Sequence, residues 1–236
     1  MGERECWEFA DLGGVDALST DTLAAAVRAR FDSWVMVDCG ANCGLFTLNL
    51  ARKAPGLQSV IAVEPNAAYS EVLRRNLAGL SAVAVHVGAV SDYDGRGRLV
   101  APPYDDNPHG WFVSPDPRGD IAVMRLDSIA PEPGRNLVIK LDIEGDEYSA
   151  LRGAEAMLRQ THDFVLFVEF HEAVLARTGV TPSELFAFID AIRPTRWVDA
   201  ESPEQVIDIT RPVLAQTRNP RICDLIGLPE ARGEHI

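Results

Sequence analysis

Apolar residues change their spacing several times along this chain, and each change marks an element. From Thr20 to Asp32, Leu23, Val27 and Phe31 fall on one stripe at helical spacing, with Thr20 or Asp21 placed as cap. Trp34-Val35-Met36-Val37 breaks that period with a continuous apolar run, the pattern of a strand covered on both faces. The run closes at Asp38 and the loop Cys39-Gly40-Ala41-Asn42-Cys43-Gly44. Leu45, Leu48 and Ala51 then restore a helical stripe as far as Lys53, which Pro55-Gly56 ends. The unit recurs. Ser59 to Val63 reads as a strand ending in Glu64-Pro65-Asn66, Ala67 to Ala78 as a helix, and Ala82 to Val87 as a third strand leading into Gly88-Ala89-Val90-Ser91-Asp92. Strands alternating with helices of this length imply parallel βαβ units.

Between Tyr93 and Asp120 the pattern lapses into Gly, Pro and Asp, with short β-like pieces at Arg98-Leu99-Val100 and Trp111-Phe112-Val113; Ala122 to Leu126 reads as a strand. Regular order returns with a strand at Leu137 to Leu141, a helix at Asp146 to Arg159, a strand at Phe164 to Val168 and a helix at Pro182 to Ile192. Trp197-Val198 and Ile222 to Ile226 are two further strands, too close to turn residues for a helical crossover, which predicts an antiparallel hairpin at the sheet edge. The expected fold is α/β: a Rossmann-like, seven-stranded, mostly parallel sheet with helices on both faces. Residues 1–33 form an N-terminal helical extension to a domain over residues 34–230, with an irregular insertion at about 93–120.

Composition narrows the class of partner. The 236 residues carry a formal net charge of −13, which repels a phosphate backbone and argues against nucleic-acid binding. Cys39 and Cys43 are close, but no second Cys/His pair follows at zinc-site spacing, so free thiols in a reducing cytosol are expected. No apolar run approaches the roughly 20 residues of a membrane helix, and the N-terminus has no signal-peptide core. A cytoplasmic protein acting on a small molecule, with no nucleic-acid or membrane partner, is the expectation. A homodimer is compatible with the sequence, which leaves the oligomeric state open.

Strand, Gly40-x-x-x-Gly44, helix is the frame of a nucleotide-binding turn, in which glycine lets the backbone approach a ligand and the helix start offers free N–H groups. Glu64, ending the next strand, is placed to accept both hydroxyls of a ribose. Asp38 decides between ligands. A carboxylate at the tip of the first strand would repel the diphosphate of NAD or FAD, whereas the methionyl ammonium of S-adenosylmethionine would pair with it directly or through water. The loop also lacks the G-x-G-x-x-G spacing of dinucleotide sites.

Four segments carry a resemblance to a known family: Val37-Asp38-Cys39-Gly40-Ala41-Asn42-Cys43-Gly44, Val63-Glu64-Pro65-Asn66, Gly88-Ala89-Val90-Ser91-Asp92, and Ile139-Lys140-Leu141-Asp142-Ile143-Glu144-Gly145-Asp146-Glu147 with the downstream Leu151-Arg152-Gly153-Ala154. The chain resembles the FkbM-type family of class I methyltransferases over residues 35 to 170. That resemblance implies S-adenosylmethionine as cofactor and O-methylation of hydroxyls on natural products, sugars or glycolipids. The implied cofactor positions are Asp38, Gly40, Ala41, Asn42, Gly44, Glu64, Pro65, Asn66, Ala89, Val90 and Asp142.

A second constellation is the candidate catalytic group. Lys140, Asp142 and Glu144 alternate along an extended chain, and Glu169 and His171 do the same at the end of the next strand. In neighbouring parallel strands these ends meet at the carboxyl edge, and Lys140, inside an apolar strand, requires a carboxylate partner. Three roles fit. His171 or a carboxylate removes the acceptor proton as a base; Asp142, Glu169 and His171 hold Mg²⁺ or Mn²⁺; or the charges form an internal network that orders the strand ends. The base is preferred and no metal is expected, because Lys140 already brings positive charge. His109 is a candidate for the acceptor pocket, and Tyr93 to Asp120 for its wall. N-methylation, a nicotinamide-dependent oxidoreductase and a non-catalytic binding module are the rival functions.

Overall fold

The structure is a computed structural model in which residues 17–101 and 111–231 are described. The apolar run after the first helix, α1 (Ala17–Arg30), becomes β1 (Trp34–Cys39), buried at every residue and central in the main sheet. Its side chains alternate between two cores. Val35, Val37 and Cys39 pack with Ile139, Leu141 and Val168 on one face; Trp34 and Met36 pack with Ala62, Val138 and Phe167 on the other. Leu23, Ala24 and Val27 of α1 belong to that second core. Arg30 of α1 reaches Asp163 at 2.7 Å, and Arg193 takes that carboxylate's other oxygen at 2.7 Å, so the helix is tied to the far end of the sheet.

The chain continues through α2 (Leu45–Lys53), β2 (Leu57–Glu64), α3 (Ala67–Leu77) and β3 (Val83–Val87). After a smaller unit it returns as β8 (Asn136–Leu141), α4 (Glu147–Arg152), α5 (Glu155–Gln160), β9 (Asp163–Phe170), α6 (Glu172–Leu175) and α7 (Pro182–Ile192). It ends with β10 (Thr195–Asp199), β11 (Ser202–Ile207) and β12 (Cys223–Pro229). The main sheet runs β11-β10-β12-β9-β8-β1-β2-β3. β3, β2, β1, β8 and β9 are parallel; β12 is antiparallel to both of its neighbours. Connections leave β1 in one direction and β8 in the other, so the crevice between their carboxyl ends is the switch point where such sheets bind ligands.

The expected mostly parallel α/β sheet is present, with eight strands rather than seven. The extra strand is β11, whose four central residues, Pro203, Glu204, Gln205 and Val206, are all exposed; such a strand carries no alternating apolar signal. β10 and β12 are antiparallel as expected, but β12 is interior, between β9 and β10, and the edge hairpin is β10 with β11. The single helix expected at Asp146 to Arg159 is two. The Asp127 carboxylate accepts hydrogen bonds from the Ala156 and Met157 amides at 3.3 and 2.8 Å, and the Asp127 amide donates to the Gly153 carbonyl at 2.8 Å. A cap supplied from outside ends one helix and starts the next.

The stretch expected to be irregular is largely ordered in its described part. β4 (Ala89–Val90), β5 (Gly95–Val100), β6 (Phe112–Pro115) and β7 (Ile121–Met124) form a second sheet in the order β4-β7-β5-β6. His109, His235 and Cys6 lie outside the described residues. Cys39, Cys43 and Cys223 are free and buried. No helix among the described residues is long and apolar enough to cross a membrane.

Candidate functional site

Two loops meet at the switch point. The first, after β1, turns through left-handed backbone at Gly40 (φ 74), Asn42 (φ 48) and Gly44 (φ 82) before α2 begins. Gly40 admits no substitute, since a Cβ there would lie 1.9 Å from the Asp142 carbonyl oxygen. The second loop, Asp142 to Asp146, is joined to the first by the Asp142 amide, which donates to the Cys39 carbonyl at 3.3 Å.

Lys140 locks the pair together. It is 5% exposed, its Nζ donates to the Gly40 carbonyl at 2.9 Å, and it faces carboxylate oxygens of Asp142 at 3.0 Å and Asp38 at 3.6 Å. Burial alone would lower its pKa, but Asp142 and Asp38 outweigh burial and hold it charged. Asp38 is fully buried. Its Oδ2 accepts from the Thr47 hydroxyl at 2.5 Å, and its Oδ1 has no hydrogen-bond partner. This carboxylate therefore faces inward, toward Lys140.

Glu64 closes the other side. It is buried at the end of β2, with Oε2 accepting from the Asn42 amide at 2.9 Å and Oε1 from the Asn66 amide at 2.8 Å. Burial raises its pKa, opposed by those two amides. Pro65 and Asn66 follow half-buried, and Asn66 caps α3. Ala89 and Val90 run as β4 just past the point where the Gly88 amide meets the Glu64 carbonyl, and Val90 is buried in the core.

The carboxylates of Asp142, Glu144 and Glu169 converge, each offering an oxygen within 4.8 Å of the others. Asp142 and Glu169 each follow the last paired residues of β8 and β9, Leu141 and Val168, while Asp224 of β12 lies directly opposite Glu169. Like charges so placed repel. Burial, then Asp142, Glu144 and Asp224, push the Glu169 carboxyl up to about 10, so it holds a proton at neutral pH. His171 is not in this group. It caps α6, and its Nδ1 accepts from the Val174 amide at 3.2 Å. A neutral ring in that bond carries its proton on Nε2, which is then a donor rather than a base.

Several residues here escaped the sequence reading. Asp224 reads as part of an apolar strand, and only the β9–β12 register brings it to Glu169. Thr47 reads as helix interior. Arg177 donates to the Glu144 carbonyl at 2.6 Å, with its guanidinium 4.4 Å from the Phe112 ring centroid, so it joins the second sheet to the carboxylate loop.

The strand order, the glycine turn and the acid ending β2 define the class, a Rossmann-like methyltransferase fold. The chain belongs to the methyltransferase FkbM domain family, whose model matches residues 38–193. It is similar in fold to the methyltransferase FkbM from Methylobacillus flagellatus, at 22% identity and a TM-score of 0.53, covering 84% of this chain and 44% of that one. The chain thus spans less than half the length of that relative. It is also similar in fold to a putative caffeoyl-CoA O-methyltransferase from Staphylococcus aureus, at 12% identity and a TM-score of 0.51, covering 94% of this chain and 90% of that one. No curated protein is significantly similar to the sequence.

Proposed function

We propose that the protein is an S-adenosylmethionine-dependent methyltransferase acting on a hydroxyl of a small molecule, a sugar or another natural product. The observation that carries this reading is the closed arrangement around Lys140. The cation beside the glycine turn is held by Asp38, Asp142 and the Gly40 carbonyl, so it is already neutralised and gives a diphosphate little to bind. Membership of a methyltransferase family supports the same conclusion.

S-adenosylmethionine supplies a methyl group on a positively charged sulfur. Glu64 fits its ribose, because each carboxylate oxygen keeps acceptor capacity beyond its one backbone amide. Gly40, Ala41, Asn42 and Gly44 would hold the methionyl side, Pro65 and Asn66 the ribose, Ala89 and Val90 the base. Asp38 acts from behind the wall, fixing Lys140 and the turn. At the acceptor, the carboxylate of Asp142 or Glu144 takes the hydroxyl proton, and the protonated Glu169 beside them does not act as a base. Bound beside them, the donor would supply its methyl to the acceptor oxygen, the electron pair of the C–S bond remaining on sulfur. His171 donates from Nε2 to orient the acceptor. Holding the two reactants in line is worth up to about 7–11 kcal/mol.

A second reading has one observation in its favour: three converging carboxylate oxygens are hard ligands suited to Mg²⁺ or Mn²⁺. The deciding experiment incubates the protein with S-adenosylmethionine and a panel of hydroxylated and aminated small molecules, read by mass spectrometry. Gain of one CH₂ on a hydroxylated acceptor, unaffected by chelator, is the expected result. Gain only on amines would replace O- by N-methylation. Loss on chelation with rescue by Mg²⁺ would replace the carboxylate base by a metal.

A further inference from the structure

The loop that carries Asp142 and Glu144 has an unfavourable conformation of its own. Glu144 sits at φ 59, where residues with a Cβ are uncommon, and Gly145 follows at φ 105. A Cβ at Gly145 would lie 2.8 Å from the Val174 carbonyl oxygen, so the loop is pressed against α6. Such backbone persists only where its surroundings over-determine it.

Glu147 supplies that constraint from inside. It is 5% exposed, and its Oε1 accepts from the Ile143 amide at 3.3 Å and the Gly145 amide at 3.0 Å, the two that flank Glu144. Its own amide donates to it as well. From outside, Arg177 holds the Glu144 carbonyl at 2.6 Å. The loop in turn bears on the glycine turn through the Asp142–Cys39 hydrogen bond and the close approach of Gly40 to the Asp142 carbonyl. Packing alone would be served by an apolar side chain of the same length, whereas collecting three amides requires an acceptor.

We infer that Glu147 is a positioning residue, a buried acceptor that clamps the left-handed loop so that Asp142 and Glu144 meet Glu169 and the glycine turn stays seated. The inference rests on the reading of those carboxylates as the reaction centre. Burial raises the Glu147 carboxyl to about 7 despite the three amides, a desolvation cost that a residue present only to fill space would not incur.

The test compares Glu147→Gln, which keeps an acceptor oxygen, with Glu147→Met, which fills similar space without one. Two quantities are read: hydrogen exchange at the Ile143 and Gly145 amides, and calorimetric affinity for S-adenosylhomocysteine. The Gln variant should keep both within about twofold of wild type, and the Met variant should exchange and release the ligand at least about tenfold more readily. Wild-type exchange and affinity in the Met variant, or equal loss in both variants, would overturn the clamp. If the Met variant does not fold, Glu147→Asp, one methylene shorter, takes its place with the same two outcomes. Failure of wild-type protein to bind S-adenosylhomocysteine would sink the proposed function instead, and the exchange rates would still decide the clamp.

Discussion

Burying an ammonium in a strand interior requires carboxylates within ion-pair reach, and Lys140 has two, at 3.0 and 3.6 Å. Removing one member of such a group leaves the others charged and unsolvated, so Lys140→Met should cost about 3–5 kcal/mol in denaturant unfolding. A loss below about 1 kcal/mol, the median of exposed pairs, would mean the network is weakly coupled. Glu169 makes the opposite prediction. Its carboxyl is raised to about 10 from an ordinary 4.5, and Glu147 is raised to about 7, so the folded state binds more protons than the unfolded chain between those values. Stability from these groups is complete below about pH 4.5 and falls as pH rises, through about 7 for Glu147 and on toward about 10 for Glu169. Glu169→Gln should therefore raise the melting temperature at pH 8 and lose that advantage as pH falls toward about 4. An advantage that grew on acidification would contradict the assignment. Glu64→Ala should weaken S-adenosylhomocysteine binding by on the order of 1.5–3 kcal/mol, since a buried ribose loses a charged acceptor. Asp38, Glu64, Asp142 and Glu169 were legible because each ends or interrupts an apolar strand, where a charge has no packing reason to be. Glu147 was not: it reads as an ordinary acid in a first helical turn, and only the folded loop turns it inward.

At the scale of elements, the second sheet is the least familiar part of the fold. Its β6 meets the main domain where the Arg177 guanidinium lies over Phe112, and Arg177 also holds the Glu144 carbonyl. The contact places this sheet beside the carboxylate loop, and under the proposed function it borders the acceptor. Phe112→Ala removes the ring without disturbing backbone pairing. It should lower kcat/KM for the acceptor about tenfold while leaving S-adenosylhomocysteine affinity within about twofold, the signature of a group that acts only on the acceptor. Unchanged turnover would make the sheet a surface appendage. Its strands were only partly visible in the sequence, because Gly95, Gly97 and Arg98 in β5 blur the alternation that marks a half-buried strand. The parallel strands β1, β2, β8 and β9 were visible for the opposite reason: burial on both faces demands an unbroken apolar run. The split between α4 and α5 and the interior place of β12 depend on Asp127 and on strand order, which are long-range facts that no local pattern records.

Taken whole, the molecule sets an acidic sheet edge beside a tight glycine turn, inside a chain of net charge −13. That field suits a sulfonium donor and opposes a diphosphate, which supports the cofactor proposed above. The central claim is the identity of that cofactor. It is tested most directly by calorimetric titration of the wild-type protein with S-adenosylhomocysteine and, separately, with NAD under the same buffer and salt. The account predicts saturable binding of S-adenosylhomocysteine at one site per chain and little heat from NAD. Tighter binding of NAD than of S-adenosylhomocysteine would contradict it.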